Sequence, residues 1–432
     1  MRSSATFEIG AVPVGDGDGG QAEQLPNLRH LRAFLRVADL RSVNRAAASV
    51  HLSQPAVSQA IMRLEALFGV ALLVRHQTGV TPTEPGQVVA ARVARALEFL
   101  ARGLGASRDG DPERRSMPPD LSPAQLNALG SIIRTGDAEL AARSMGITAA
   151  SLLRNLRMLE ERLGVQLVLR DGARVLPTEA ALELGRAVRL ALRELELARE
   201  EIGWLRGLAR GRIVIGAMPL TRTYIAPKTL VSLALRYPEV RTEIVEGPYS
   251  VLLQGLRDGS IDLLIGALRD PAPADDVVQE PMFDEELCVV AGAGHPLAGG
   301  RRPALPDLFD YPWVQPRAQS PARDQYDHLR RLAGRAPPIT FEVASHMAVR
   351  AILLESEALA LLSRQQILYE QRNGQLVVLP VSWPQFPRTI GVTTRKGWSP
   401  TVAQREFMST LRDVCTGLQE SEAAPPKRAG VI

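Results

Sequence analysis

The sequence predicts a multidomain chain of two α-rich winged helix-turn-helix domains, a long linker helix and a larger two-lobed α/β domain. Three observations support this prediction. Matching residues recur 95 positions apart between the predicted domain 25–102 and the stretch that begins with the second predicted domain, 120–177. Residues 178–208 carry an unbroken helical heptad pattern, and residues 211–420 alternate short apolar runs with helical periods. A chain of 432 residues has room for about two to four domains.

Composition excludes several classes of protein. The sequence contains no run of 18 apolar residues, and its start lacks a basic segment followed by a long apolar core, so neither a membrane span nor a secretory signal is expected. Two cysteines are too few for a disulfide framework or a four-cysteine zinc site, and they fit a reducing cytoplasm. Residues 1–24 and 421–432 are expected to be disordered tails, and residues 103–119, rich in Gly, Pro and charge, a linker.

An enzyme is not expected. None of the 6 histidines lies at metal-binding spacing from a second ligand, and the sequence has neither a phosphate-binding glycine loop nor a GxSxG motif. The sequence therefore predicts no catalytic residue, no metal site and no cofactor.

The net charge of +4 is concentrated in one part of the chain. Residues 25–105 hold ten basic and four acidic residues, whereas residues 120–210 hold thirteen and twelve, and residues 211–432 hold equal numbers. A local positive excess of this kind is what binding to a DNA backbone requires.

The repeat is an internal duplication of one domain, because two copies are too few for a solenoid. Identical residues recur 95 positions apart at Ala46-Ala47 and Ala141-Ala142, Leu64-Glu65 and Leu159-Glu160, Gly69-Val70 and Gly164-Val165, Leu72 and Leu167, Arg75 and Arg170, and Thr83-Glu84 and Thr178-Glu179.

The first copy has the pattern of a winged helix-turn-helix. Asn27, Ser42 and Ser53 each precede a helical pattern and are suited to cap it. Two short apolar stretches after the third helix are expected to form the strands of a wing. The inward positions of the third helix are Val57, Ile61, Leu64 and Phe68.

The outward face of the third helix carries side chains that suit DNA. Glutamine pairs with adenine through two hydrogen bonds, serine pairs with several bases, and cations and small hydroxyls contact phosphates. The N-terminal part of a recognition helix enters the major groove, so Gln54, Ser58 and Gln59 are expected to contact bases. The full set of expected DNA-binding residues is Ser42, Arg45, Ser53, Gln54, Pro55, Ser58, Gln59, Arg63 and Arg75.

These residues carry a family resemblance. The segment 46–69, followed by Leu72-Leu73-Val74-Arg75 and Thr81-Pro82-Thr83-Glu84-Pro85-Gly86, is similar to the DNA-binding domain of LysR-type transcriptional regulators. The resemblance implies sequence-specific binding to double-stranded DNA. A usual member of this family has one such domain in a shorter chain, so the second copy is a departure.

The second copy keeps the inward leucines and loses the polar outward face. At the offset of 95 residues, Gln54, Pro55, Ser58 and Gln59 are replaced by Ala149, Ala150, Leu153 and Arg154. Arg154 and Arg157 remain suited to phosphates or guanine and are a possible second DNA contact. Two interpretations stay open: a structural or dimerisation module, which an exposed Leu153 favours, or a reader of a different, shorter site.

The long helix of residues 178–208 has an apolar seam that alternates by three and four positions. We expect it to pair with a second copy of the chain, as the resemblance also implies, and the assembly to be a homodimer or homotetramer. The alternative is burial against the preceding domain. The seam consists of Ala181, Leu184, Val188, Ala191, Leu195, Ala198, Ile202 and Leu205.

Strands alternating with helices in residues 211–420 predict parallel sheets. The segments 256–266 and 294–298 are similar to the LysR effector domain, which implies a two-lobed, periplasmic-binding-protein-like fold. Ligands of such sheets bind beyond the carboxyl ends of strands, where Thr221 is also expected to cap a helix. The expected effector-binding residues are Leu220, Thr221, Arg222, Gly266, Gln315, Ser345 and His346.

The effector is expected to be a sugar or a small organic acid. The segments MPLTRTYIAP, EGPYSVLLQGL and LLIGALR are similar to the effector domains of the galactose-binding-protein regulator subgroup, which implies a sugar. The sequence as a whole predicts a ligand-responsive, DNA-binding transcriptional regulator. The alternative is a cytoplasmic small-molecule-binding protein whose second winged helix serves protein–protein contact.

Overall fold

The computed structural model divides the chain into two compact units, one ending at Leu208 and the other beginning at Ala209. Each unit is described by itself. The described residues are 25–77, 79–105, 121–171, 174–299, 302–318, 320–343, 345–386 and 388–423. The expected tail 1–24 lies outside them. Of the expected linker 103–119 and tail 421–432, the structure describes residues 103–105 and 421–423, which continue helices.

The first module, residues 25–105, has three short helices, a two-stranded antiparallel wing and a fourth, longer helix. Its elements are α1 (Leu28–Leu40), α2 (Val43–Ser49), α3 (Gln54–Phe68), β1 (Leu73–His76), β2 (Gly79–Pro82) and α4 (Glu84–Gly105). The side chains of Asn27, Ser42 and Ser53 accept hydrogen bonds from backbone N–H groups in the first turns of α1, α2 and α3. The predicted helix-turn-helix is confirmed.

The second module, residues 121–205, repeats this succession. Its elements are α5 (Pro123–Thr135), α6 (Ala138–Ser144), α7 (Ala149–Leu163), β3 (Val168–Asp171), β4 (Arg174–Pro177) and α8 (Glu179–Leu205). Matching residues also make matching hydrogen bonds. Glu65 Oε1 accepts from the backbone N–H of Leu72 at 2.9 Å, and Glu160 Oε1 accepts from that of Leu167 at 2.7 Å.

Helices α4 and α8 pack against each other, and their contact lies in a core that both modules share. Their buried seams occupy equivalent positions, namely Gly86, Val89, Val93, Ala96, Leu100 and Gly103 on α4, and Ala181, Leu184, Val188, Ala191, Leu195 and Ala198 on α8. The prediction that the α8 seam is a homodimer face is wrong, because these side chains are already buried within the same chain. Leu205, at the end of the predicted seam, is exposed.

A buried ion network accompanies this apolar contact. Arg92 of α4 donates hydrogen bonds to Glu194 and Glu201 of α8, both at 2.9 Å, and Arg95 donates to Glu194 at 3.0 Å. The Arg92 side chain is only 3% exposed. Burial by itself lowers the pKa of Arg92, but the two glutamates outweigh burial and raise it above its ordinary value. The guanidinium group is therefore held charged inside the protein.

The second unit has two lobes, each built on a five-stranded mixed sheet. Its elements are β5 (Gly211–Ala217), α9 (Ile225–Arg236), β6 (Val240–Val245), α10 (Tyr249–Asp258), β7 (Leu263–Ala267), β8 (Val277–Asp284), β9 (Leu287–Gly292), β10 (Trp313–Gln315), α11 (Pro321–Ala333), β11 (Thr340–Glu342), α12 (His346–Glu355), β12 (Leu359–Ser363), α13 (Leu368–Arg372), β13 (Leu376–Val378), β14 (Thr389–Arg395) and α14 (Val402–Ala423). The sheet orders are β6-β5-β7-β14-β8 and β11-β10-β12-β9-β13.

The prediction of parallel sheets is correct for only part of each lobe. Strands β6, β5 and β7 are parallel to one another, as are β11, β10 and β12. Strand β14 runs antiparallel to β7 and β8, and β9 runs antiparallel to β12 and β13. The chain crosses from the first lobe to the second between β8 and β9 and returns between β13 and β14, so β9 and β14 enter their sheets in the opposite direction.

Within the described ranges, no helix is both long and apolar enough to cross a membrane.

Removing the Glu194 carboxylate tests whether the ion network holds the two modules together. We expect Glu194→Gln to destabilise the first unit by about 3 kcal/mol, because Arg92 and Arg95 lose a buried counter-charge. Hydrogen exchange of α4 and α8 peptides measures this change. The matched control is Glu98→Gln, which removes an exposed Arg102–Glu98 pair and is expected to cost less than about 1 kcal/mol. Equal protection in the two variants would contradict the importance of the network.

Candidate DNA-binding face and effector cavity

Helix α3 presents a polar, solvent-accessible face on the first module. Gln54, Pro55, Gln59 and Arg63 are exposed and Ser58 is half-buried, while the opposite side of the helix packs into the core. Gln54 Nε2 donates to Ser58 Oγ at 3.2 Å. Both groups lie at the surface on the first turns of the helix. Hydrogen bonds to the edge of a base can therefore replace the bond between them.

The other predicted DNA-binding residues lie before and after this helix in the sequence. Some of them also stabilise the local structure. Ser42 and Ser53 use their hydroxyl groups as helix caps. Arg45 is exposed, and its guanidinium donates to the backbone oxygen of Leu40. Arg75 lies exposed on wing strand β1. The first module therefore carries exposed cations both before α3 and on the wing.

The equivalent face of the second module is less polar. Leu140 and Met158, which occupy the places of Arg45 and Arg63, are 51% and 42% exposed. Arg154 and Arg157 are exposed on α7 and remain available to an anion. The expectation that Leu153 is an exposed contact residue is wrong, because its side chain is half-buried and packs against the core of its own unit.

A cavity of about 770 Å³ lies between the two lobes of the second unit. The segments that follow β5, β6, β7 and β10 line it, together with the start of α12 and strand β12. Four of these segments begin at the carboxyl ends of parallel strands, which is where the strand rule places a ligand. The volume suits a small molecule of ordinary metabolite size.

Three of the predicted effector-binding residues line this cavity and four do not. Leu220, Gln315 and His346 are part of its wall. Burial is the main cause that lowers the pKa of His346, and nearby Glu370 partly offsets it. The imidazole on the wall is therefore biased towards the neutral form, which can both donate and accept a hydrogen bond.

The other four predicted residues have structural roles or lie off the wall. Thr221 Oγ1 donates to the backbone oxygens of Met218 and Ile265, and it does not cap helix α9 as predicted, because that helix begins only at Ile225. Arg222 pairs with Glu246.

Gly266 lies inside β7, where an added Cβ would lie 2.3 Å from Met218 Cγ, so close packing accounts for the glycine. Ser345 is exposed ahead of α12 and is not part of the cavity wall.

The sequence prediction missed Arg388, which lines the cavity. Its Nη1 atom lies 3.6 Å from Glu285 Oε2, too far for a hydrogen bond, and its buried Nε and Nη1 atoms have no hydrogen-bond partner among the described residues. Burial chiefly lowers the pKa of Arg388, Glu285 opposes this effect, and Arg269 adds to it. A buried arginine with unmade hydrogen bonds, facing a cavity, is a candidate anion ligand.

Arg269 was also missed and lies on the same wall. It follows β7, and its guanidinium carbon lies 4.6 Å from the ring centroid of Tyr249. Its charge is one of the causes that lower the pKa of Arg388, after burial. A cavity wall on which Arg269, Arg317 and Arg388 outnumber Asp270, the one acidic residue among the described lining residues, favours a negatively charged ligand.

The described residues give no sign of a metal centre. Among them, no group of three or more His, Cys, Asp or Glu side chains is arranged to hold a metal ion.

Comparison with protein families agrees with this architecture. The family described as bacterial regulatory helix-turn-helix protein, lysR family, matches residues 28–87 and again residues 123–182. The family described as LysR substrate binding domain matches residues 206–416.

Comparison with individual proteins gives the same result. The chain is 35% identical over 396 residues to the HTH-type transcriptional regulator GalR of Pseudomonas putida, an alignment that covers 91% of this chain and 98% of that protein. It is 26% identical over 396 residues to the HTH-type transcriptional regulator PcaQ of Agrobacterium fabrum, covering 90% and 96%. The crystal structure of ArgP from Mycobacterium tuberculosis superposes with a TM-score of 0.52 at 17% identity, covering 68% of this chain and 97% of that one.

The structure and the comparisons point to one family. The helix-turn-helix unit and the two-lobed unit with its cavity correspond to the two family matches, and the relative in P. putida matches over nearly its whole length. The chain therefore belongs to the LysR family of bacterial transcriptional regulators, with a helix-turn-helix DNA-binding part and a substrate-binding domain.

Proposed function

We propose that helix α3 of the first module reads DNA bases through Gln54, Ser58 and Gln59, while Ser42, Arg45, Ser53, Arg63 and Arg75 contact phosphates. The exposed polar face of α3 is the observation that carries this assignment. Its glutamines and serine can donate and accept hydrogen bonds at base edges, and the surrounding cations supply the electrostatic attraction. Pro55, exposed on the first turn, contributes an apolar contact.

Substitutions on α3 test the assignment of the reading residues. We expect Gln54→Ala/Ser58→Ala to weaken binding to the specific DNA site by at least about 30-fold, because two lost base contacts at about 1–3 kcal/mol each sum to about 2–6 kcal/mol. Footprinting and titration at fixed salt concentration measure the change.

Arg154→Ala/Arg157→Ala on the second module is the matched comparison, and we expect it to weaken binding to all sequences about equally. An unchanged footprint in the first variant would contradict the assignment.

We propose further that the effector is a small organic acid. Arg388 and Arg269 line the cavity, the charge of Arg269 helps to lower the pKa of Arg388, and Arg388 has hydrogen-bond donors without a partner among the described residues. A carboxylate would satisfy these donors and relieve the repulsion between the two cations, whereas an uncharged sugar would leave the repulsion in place. This charge argument favours the acid over the sugar that the subgroup resemblance implies.

Arg388 also links the cavity to the crossing between lobes. Glu285 lies where the chain leaves the first lobe and Arg388 where it returns, and the backbone N–H of Glu285 donates to the backbone oxygen of Arg388 at 2.9 Å. A carboxylate bound to Arg388 competes with the Glu285 carboxylate for the positive charge of the Arg388 guanidinium group. Effector binding would thus shift the equilibrium between lobe arrangements, which is the device by which the ligand controls regulation.

Matched ligands test the carboxylate assignment. We expect small aliphatic and aromatic carboxylates to include compounds that raise the melting temperature of the protein, and we expect their primary amides and simple hexoses to have no effect. Arg388→Gln should abolish the shift. Glu285→Gln should enlarge it, because the charge that competes for Arg388 is removed. Thermal shift measurements with all three proteins check this. A hexose shift that survives Arg388→Gln would contradict the proposal.

Regulation of transcription places this activity where the DNA is, in the cytoplasm. A homodimer or homotetramer remains our prediction, and it must use surfaces other than the buried seam of α8.

A further inference from the structure

The contact between α4 and α8 is nearly symmetrical under the offset of 95 residues. A Cβ atom added to Gly103 would lie 2.4 Å from Ala187 Cβ, so the two helices approach closely there. The equivalents of these residues are Ala198 and Arg92. Arg92 bonds to two α8 glutamates that lie one turn before and one turn after Ala198. Arg92 therefore reaches the stretch of α8 around Ala198, as Gly103 reaches Ala187, and this exchange of partners is what a twofold interface requires.

The helices run in opposite directions across this interface. Gly103, late in α4, meets the early part of α8, whereas Arg92, early in α4, meets the late part of α8. Midway lie Leu97 and Leu192, which are equivalent at the same offset and pack against the shared core. We infer from this exchange an approximate twofold axis near these two leucines, which relates the first module to the second.

The distribution of charge favours the pairing of α4 with α8 over the pairing of either helix with a second copy of itself. The buried arginines are on α4 and their glutamates on α8. Two α4 helices paired in the same way would place Arg92 opposite Phe99, the counterpart of Glu194. Two α8 helices would place Glu194 opposite Ala187. Either arrangement buries a charge without its counter-charge, which costs several kcal/mol.

We propose that one chain forms a pseudo-twofold pair of DNA-binding modules, in which the first reads bases and the second contacts only the DNA backbone, so that the chain recognises an asymmetric DNA site. The proposal rests on the DNA-binding role of α3 described above. Twofold helix-turn-helix pairs present their recognition helices to successive major grooves about 34–36 Å apart. In the proposed pair, helices α3 and α7 would take those two places.

The chemistry of the second half suits a sequence-tolerant contact. Leu140 and Met158 are exposed where the first module has Arg45 and Arg63, so two positive charges are lost. Ala149 and Leu153 replace the amide of Gln54 and the hydroxyl of Ser58, while exposed Arg154 and Arg157 keep positive charge, so phosphate contact is the role that this face retains most fully. This half adds affinity and fixes the register of the reading half.

A zero-length cross-link tests the intrachain pairing. Arg95→Lys places an amine beside Glu194, and only three lysines occur elsewhere in the sequence, so carbodiimide treatment of the full-length protein gives a nearly unique product. We expect an amide bond between position 95 and Glu194 in protein that migrates as a single chain. Arg95→Lys/Glu194→Gln is the matched control and should not cross-link there. Cross-linked dimers, or a single chain without this bond, would overturn the pairing.

The DNA site tests the division of labour between the modules. Hydroxyl-radical footprinting of the full-length protein should show, for each bound chain, two protected segments about one helical turn apart. Base substitutions in one segment should lower affinity by about 10- to 100-fold, and those in the other by less than about 3-fold. Comparable sensitivity in both segments, or one protected segment alone, would overturn the proposal. If instead Gln54→Ala/Ser58→Ala leaves every base preference unchanged while the cross-link forms, the assignment of α3 fails and the pairing stands.

Discussion

The antiparallel contact between α4 and α8 is the constraint on which the DNA-binding unit depends. It merges the cores of two small modules, each of which alone has few elements to bury apolar surface. Close approach at Gly103 allows the helices to pack tightly, and the buried pair of Arg92 with Glu194 selects the partner. The same contact removes the α8 seam from the surface, so any association of whole chains has to use another face.

Much of this unit follows from the sequence. The serine caps, the glycine ends and the offset of 95 residues predict both modules nearly to their boundaries, because caps and turns are local. The partner of the α8 seam was predicted wrongly. A heptad pattern shows that a helix has an apolar stripe but not what covers it. The missing signal was the same seam on α4, from Val89 to Leu100, which the offset relates directly to α8.

The effector cavity shows a different limit. The rule that ligands lie at the carboxyl ends of parallel strands predicts its position, and it finds Leu220, Gln315 and His346. It misses Arg388 because that residue immediately precedes the antiparallel strand β14, whose first residues lie beside the last residues of β7. Thr221 and Gly266 satisfy the rule by position, but backbone hydrogen bonds and close packing already account for them.

These findings support the proposal that a single chain supplies both halves of the unit that binds DNA. The most direct measurement is the number of chains bound per protected segment, obtained by native mass spectrometry of the full-length protein on a duplex whose footprint is known. The account predicts two protected segments for each bound chain, one sensitive to base sequence and one not. One protected segment for each bound chain would contradict it.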